Sequence, residues 1–321
     1  MFILEEITVR LSFYKAFGLT ISSEVKIRGL RELSFDHNKI DVTIRKEDLN
    51  NLWLCRFEEN KHFYIKKDII MFEIPNVAIF LIKNGSEIYV SPHEFSKQDK
   101  ICLYILGTCM GAILMQRFVF PLHGSAIAIG EKAYAIVGES GAGKSTLASA
   151  LLKKDYKLLS DDVIPITLNE SGVPIVTPAY PQQKLWLESL NQFGIESSKL
   201  RPIIDREAKF AVPVESQFAS NTMPLGGVFE LIKTDYGSIE LQPINNLLRF
   251  QTMFTHTYRP FFVNPLGLME WHFTTSSKII NHIKLFQLRR PQDEFTAHEL
   301  ADLILSTIKK EAIVHESYSN A

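Results

Sequence analysis

The chain has 321 residues, is 46% hydrophobic and 22% charged, and carries a formal net charge of −1. That balance supports one large or two modest globular domains, excludes wholesale disorder, and lacks the basic excess of a general nucleic-acid binder. Three scattered cysteines (Cys55, Cys102 and Cys109) form no CxxC pair; they read as reduced thiols, with Cys102 and Cys109 filling the core on one helix.

The opening "MFILEEITVR" has neither a basic start nor a long apolar run, so no signal peptide is expected. Residues 1–95 read as a β-rich domain. "KIDVTIRK" (Lys39–Lys46) alternates apolar and polar positions, and Val77–Val90 reads as a hairpin turning at Asn84-Gly85. The most apolar stretch, Ile101–Met115, has 15 residues and includes Gly107 and Gly111. It is short for a bilayer span and reads as a buried core helix.

Residues 96–321 read as an α/β domain. Strands at His123–Gly130 and Lys132–Glu139 join at Gly130, and a helix follows from Lys144. "YKLLS" is expected to be a strand ending at Asp161-Asp162, followed by a hairpin with its turn near Glu170–Gly172. Further on come a helix in "LWLESLNQFG", strands at Leu225–Lys233 and Ser238–Ile244, a helix in "NNLLRFQTMFTHTY" and a strand in "IKLFQLRRP". The last helix begins at "DEFTAHEL", with acids early and Lys309-Lys310 late, as its dipole favours, and "HESYSNA" is expected to fray.

"GESGAGKS" places Gly138, Glu139, Ser140, Gly141, Ala142, Gly143, Lys144 and Ser145 in the pattern G-x-x-x-x-G-K-[ST], with Thr146 next. An apolar strand precedes it and a helix follows, as a phosphate-cradling loop requires; a chance glycine-rich turn is the alternative. The loop points several N–H groups at one anion, Lys144 reaches the β- and γ-phosphates, and Ser145 offers its hydroxyl to Mg²⁺. Asp161 follows Lys144 by 17 positions, room for one short helix and one strand. A strand parallel to "YAIV" would bring Asp161 and Asp162 to the loop, pointing in opposite directions. One would serve the metal and the other take a proton from an incoming nucleophile; a solvated acidic turn is the alternative. "HTYR" (His256–Arg259) and "EWHF" (Glu270–Phe273) lack a second ligand at zinc-like spacing.

These residues resemble the catalytic domain of HPr kinase/phosphorylase, a fold shared with ATP-dependent phosphoenolpyruvate carboxykinase. The resemblance rests on His123-Gly124 upstream, the "GESGAGKS" loop, and "SDD" after a single helix. Over most of the chain it narrows to the HPr-kinase-like serine kinases found with lasso-peptide and related ribosomal-peptide gene clusters. The supporting stretches are Phe17–Glu24, Leu106–Arg117, "LHGSA", Pro178–Trp186, "PLGGVFEL" and "LRRP". The fold implied is an α/β P-loop kinase domain of HPr kinase/phosphoenolpyruvate carboxykinase type with a smaller β-rich N-terminal domain.

The resemblance implies that His123 lies near the phosphates, with Asp161 as the base and Asp162 on the metal side with Ser145. It leaves Lys209 and Arg249 between phosphate or substrate contacts and plain surface charges. It implies ATP and Mg²⁺ as cofactors, a ribosomal precursor peptide bearing the acceptor serine, a cytoplasmic setting, and no nucleic acid or membrane span; a homo-oligomer stays open. "TPAYPQQKLW" stands where HPr kinase carries a Glu-Ile-Arg-Gly element, so neither reverse phosphorylase activity nor HPr itself as substrate is implied. A regulatory NTPase and a kinase of an HPr-like carrier are the competing functions.

Overall fold

Strand, turn and helix signals resolve into a mixed α/β architecture with three sheets in a computed structural model that describes residues 11–34, 39–56, 62–203, 208–235 and 237–319, with side chains to residue 313. The opening "MFILEEITVR" lies outside the described residues. Internal contacts divide the chain into two units. One runs to Val119 and takes in Ile203 and Phe261–Met269; the other holds Phe120–Pro202, residues 208–260 and the residues from Glu270 on. The division falls later than the break near residue 95 read from the sequence.

The first unit is built on a seven-stranded sheet. Its strands are β1 (Ser12–Ala16), β2 (Leu19–Ser23), β3 (Val42–Lys46), β4 (Phe63–Lys66), β5 (Ile69–Ile74), β6 (Ala78–Lys83) and β7 (Glu87–Pro92), in the order β1-β2-β3-β7-β6-β5-β4. Alternation in β3 buries Val42 and Ile44 and exposes Arg45. The β6–β7 hairpin turns where expected, with Asn84 at φ 55° and Gly85 at φ 63°, the pair of positive angles that matches the strands' twist. Phe72 stacks on Phe80 and Phe63 tilts against Phe72, while Phe261 and Phe262 meet Phe63 edge-on.

The apolar segment forms a helix over Gln98–Gln116, 19 residues rather than 15, and by length and composition it is long enough to cross a membrane. Of its most apolar window, 72% is buried within the protein. Cys102 and Cys109 are both buried on it, and a π-helical turn interrupts it at Ile105–Cys109.

The second unit holds a mixed seven-stranded sheet. It comprises β8 (Phe120–Ile129), β9 (Lys132–Val137), β10 (Lys157–Leu168), β11 (Pro174–Val176), β15 (Met223–Thr234), β16 (Glu240–Pro243) and β17 (Lys284–Pro291), in the order β11-β10-β8-β9-β15-β17-β16. Strands β9, β15 and β17 run parallel; β8 is antiparallel to β9 and β10, its neighbours on either side. Strand β10 therefore shares the direction of β9 but is separated from it by β8. On one face Leu147, Ala148 and Leu151 of the helix Lys144–Leu152 meet Leu300, Ala301 and Ile304 of the helix Ala297–Ser319. On the other, Met253 and Ile279 bring in the helices Leu248–Thr255 and Met269–His282.

Three local readings change and one element is new. The "YKLLS" strand does not end at the aspartates but continues to Leu168. Residues 269–282, for which the sequence reading named no element, form the helix Met269–His282. The last helix stays helical to Ser319, past the point where fraying was expected. A three-stranded sheet, β12 (Gln182–Trp186), β14 (Lys209–Pro213) and β13 (Arg201–Pro202), fills a region that reads as mixed in the sequence. Leu185 and Val212 of this small sheet join the core under the helix Lys144–Leu152, and Gln183, on the same face as Leu185, accepts the Ser149 hydroxyl at 3.0 Å.

Candidate active site

Strand β9 delivers the chain to Gly138 at the C-terminal end of the parallel strands. Gly138 has φ +148°, and a Cβ there would lie 2.5 Å from the carbonyl oxygen of Leu231, so only glycine fits. Gly143, at φ +106°, occupies the position just before the helix Lys144–Leu152. The loop thus ends on a helix N-terminus, where unpaired N–H groups and the dipole favour an anion. The Lys144 ammonium folds over the loop, donating to the carbonyls of Gly138 at 2.8 Å and Glu139 at 3.0 Å. Burial pulls its pKa below the usual lysine range, against the pull of Asp161 and Asp162. Arg290 of β17 braces the loop from outside, Nε to the Ala142 carbonyl at 3.1 Å.

The two aspartates lie mid-strand on β10, where the register with β8 shifts between Leu158 and Ser160 and Asp162 takes φ +89°. A non-glycine residue at that angle is strained, and such strain is held at working sites by the surrounding structure. Its effect is to break the strand's alternation. Asp161 and Asp162 do not serve opposite surroundings; both bond to Lys184, which donates its main-chain N–H to Asp161 Oδ2 at 2.8 Å and its ammonium to Asp162 Oδ2 at 2.6 Å.

Asp161 is 3% exposed, and its Oδ1 accepts the hydroxyls of Ser125 at 2.6 Å and Ser145 at 2.9 Å. The loop serine therefore meets Asp161, where the sequence reading pairs it with Asp162. Ser145 and Asp161 together offer a hydroxyl and a carboxylate, the donor set with which Mg²⁺ is held between protein and nucleotide phosphates. Thr146 turns away, its hydroxyl 2.8 Å from that of Ser189.

Asp162 carries the more polarised environment. Burial works against its charge, but Lys184, then His123 and more distantly Lys209, outweigh burial and hold the carboxyl well below the usual carboxylate range. Burial likewise opposes the Lys184 charge, and Asp162 more than offsets it, so the ammonium is held protonated. His123 Nδ1 lies 3.0 Å from the Asp162 carbonyl and 3.5 Å from its carboxylate. A carbonyl only accepts, so Nδ1 carries the proton and donates. Burial lowers the His123 pKa, which favours the neutral ring.

The segment around His256–Tyr258 runs along the start of β8. The His123 N–H donates to the His256 carbonyl and the Tyr258 N–H to the Pro121 carbonyl, each at 2.7 Å. This sets the Tyr258 ring 5.7 Å from that of His123. His256 itself pairs with Glu230 at 2.8 Å, and His272 bonds to Thr257 at 2.7 Å. Both "HTYR" and "EWHF" thus supply internal bonds. Among the described residues no group of three or more His, Cys, Asp or Glu is arranged to hold a metal by itself.

Lys209 and Arg249, left open by the sequence, part company. Lys209 stands over the Trp186 ring, 5.4 Å from its centroid, close enough for its charge to lower the pKa values of Asp162 and Lys144. Arg249 is neither a phosphate contact nor a plain surface charge. It donates to the carbonyls of Ile280 and Ile283 at the end of the helix Met269–His282. Sequence reasoning missed Lys184, Ser125 and Arg290. All three sit in quoted stretches ("PQQKLW", "LHGSA", "LRRP"), but no spacing rule assigns them to the loop.

No protein-family model matches this chain, and no curated protein matches it. Among solved structures it is similar to the Hpr(Ser) kinase/phosphatase from Coxiella burnetii, with 16% identity and a TM-score of 0.33. The match covers 61% of this chain and 98% of that one. A likeness at that level identifies neither a family nor an activity.

Proposed function

We propose that this chain is an ATP-dependent kinase that transfers the γ-phosphoryl group to an alcohol, a serine hydroxyl of a peptide. The observation that supports it most is the bond from Ser145 to Asp161 at the end of the phosphate loop, with Asp162 beside it and not bonded to that serine. One carboxylate is committed to the loop and a second is left for the acceptor.

The geometry favours assigning the two aspartates the other way round from the sequence reading. Asp161 and Ser145 would hold Mg²⁺, which would supply positive charge to the nucleotide phosphates. Asp162 orients the acceptor hydroxyl and receives its proton as the new O–P bond forms and the bond from Pγ to the β-phosphate oxygen breaks. A weakly basic carboxylate suffices because the transition state is loose and nucleophilic push is small. Lys144 supplies positive charge to the transferred group, and neutral His123 holds the Asp162 main chain in its strained turn.

The acceptor class rests on the sequence resemblance. A ribosomal precursor peptide, in the manner of lasso-peptide tailoring, offers the serine in the cytoplasm, and the β-rich first unit docks it by adding a strand to its sheet. The test is incubation with Mg-ATP and a library of serine-containing peptides, followed by mass analysis. A gain of one phosphate that disappears in Lys144→Ala and Asp161→Asn is expected. Phosphate release that is the same with and without peptide, and no label on any peptide, refutes the kinase reading in favour of an NTPase.

A further inference from the structure

We infer that Lys184 is a positioning residue that holds both carboxylates of the site, Asp161 through its main chain and Asp162 through its side chain. It thereby keeps their two tasks apart. The inference rests on the kinase reading above and assigns a role to a residue that no sequence motif picks out.

The small sheet makes this double hold available. Lys184 stands opposite Ala211 in the β12–β14 ladder, and β12 is the edge strand of its sheet. The edge leaves the Lys184 N–H to donate outward to Asp161 instead of into the ladder. Alternation then decides where the side chain goes. Gln183 and Leu185 take the face turned to the helix Lys144–Leu152, so Lys184 takes the other, the face of Asp162.

Lys184 is 8% exposed, and an ammonium so buried is tolerated only when paired. Its 2.6 Å contact with the Asp162 carboxylate is shorter than the 3.5 Å between that carboxylate and His123 Nδ1. Asp162 also feels the charges of Lys209 on β14 and of Lys144 at the loop.

The arrangement separates two functions by one residue's two arms, and mutation removes one arm only. Any substitution except proline keeps the N–H on Asp161. Lys184→Met should therefore leave binding of a non-hydrolysable Mg-ATP analogue within about threefold of wild type, while kcat for peptide phosphorylation falls about 100-fold. Lys184→Arg, which restores a charged donor, should recover about tenfold of that loss.

The peptide-library assay of the kinase reading, together with calorimetric binding of the analogue, tests this. Wild-type phosphorylation that survives in Lys184→Met with kcat within threefold overturns the role while leaving the kinase reading intact. Parallel loss of analogue binding and kcat also overturns it, since that marks a residue that merely supports the fold. An arginine variant no better than methionine overturns the charge-based hold on Asp162. A wild-type protein that phosphorylates no peptide overturns the kinase reading and this role with it.

Discussion

Ser145 and Ser125 donate to one oxygen of Asp161, from the loop at 2.9 Å and from β8 at 2.6 Å. Two elements 20 positions apart along the chain thus meet on a single buried carboxylate. Asp161→Asn removes the charge and turns an amide toward donors. Affinity for Mg-ATP is expected to fall at least about tenfold and phosphoryl transfer about 1000-fold. Ser125→Ala leaves Asp161 its other two donors, so it should cost about 1–2 kcal/mol in denaturant unfolding and only a modest part of the activity.

The two hydroxyls that follow Lys144 should behave oppositely. Ser145→Ala removes the group bonded to Asp161, and Mg-dependent nucleotide affinity should drop about tenfold or more. Thr146→Val breaks only the contact with Ser189, and affinity should stay within about threefold. Equal losses in the two variants, measured by titrating nucleotide with and without Mg²⁺, would argue that Thr146 takes part in binding through its side chain.

His272 gives the second unit a pH-dependent stability. Burial pushes its imidazole down to about 4. Above the unfolded value of about 6.5 both states are neutral and the residue contributes no pH dependence. As pH falls below that, the unfolded chain binds a proton that the folded chain refuses, so stability is lost until the folded group also protonates near 4. The loss is of the order of 3 kcal/mol when complete. His272→Gln keeps a donor for Thr257 without titrating. Unfolding at pH 7, 5.5 and 4 should show a shallower decline in this variant than in wild type.

Arg249→Ala should be a stability variant and nothing more. It strips the donors from the carbonyls of Ile280 and Ile283, which close the helix Met269–His282. A loss of about 1–3 kcal/mol is expected in chemical denaturation, with phosphoryl transfer by the folded fraction unchanged. A change in KM for ATP would show that the arginine reaches the site.

The shape of the Gly138–Ser145 loop was legible in the sequence because its requirements are local. Two glycines at fixed spacing, a lysine and a serine specify a strand, a turn and a helix start within a dozen residues, and the structure forms all three. The hairpin at Asn84-Gly85 was legible for the same reason. Alternation also read β3 of the first unit. It failed at Asp161-Asp162, where the positive φ of Asp162 and the register shift in β10 cancel the period of two on which such reading depends.

The sequence by itself determined which groups are present and how the loop is shaped: a lysine and serine at a helix N-terminus, two carboxylates one short helix away, and a histidine upstream. Tertiary structure decided what each faces. Strand β8 sits between β9 and β10 and carries Ser125 and His123 to the aspartates. The edge of a small sheet brings Lys184 to both. These are pairings between segments about 20 to 40 residues apart, set by which strands share a sheet and in what register. No local propensity encodes that choice, because it depends on how the whole apolar surface is buried at once.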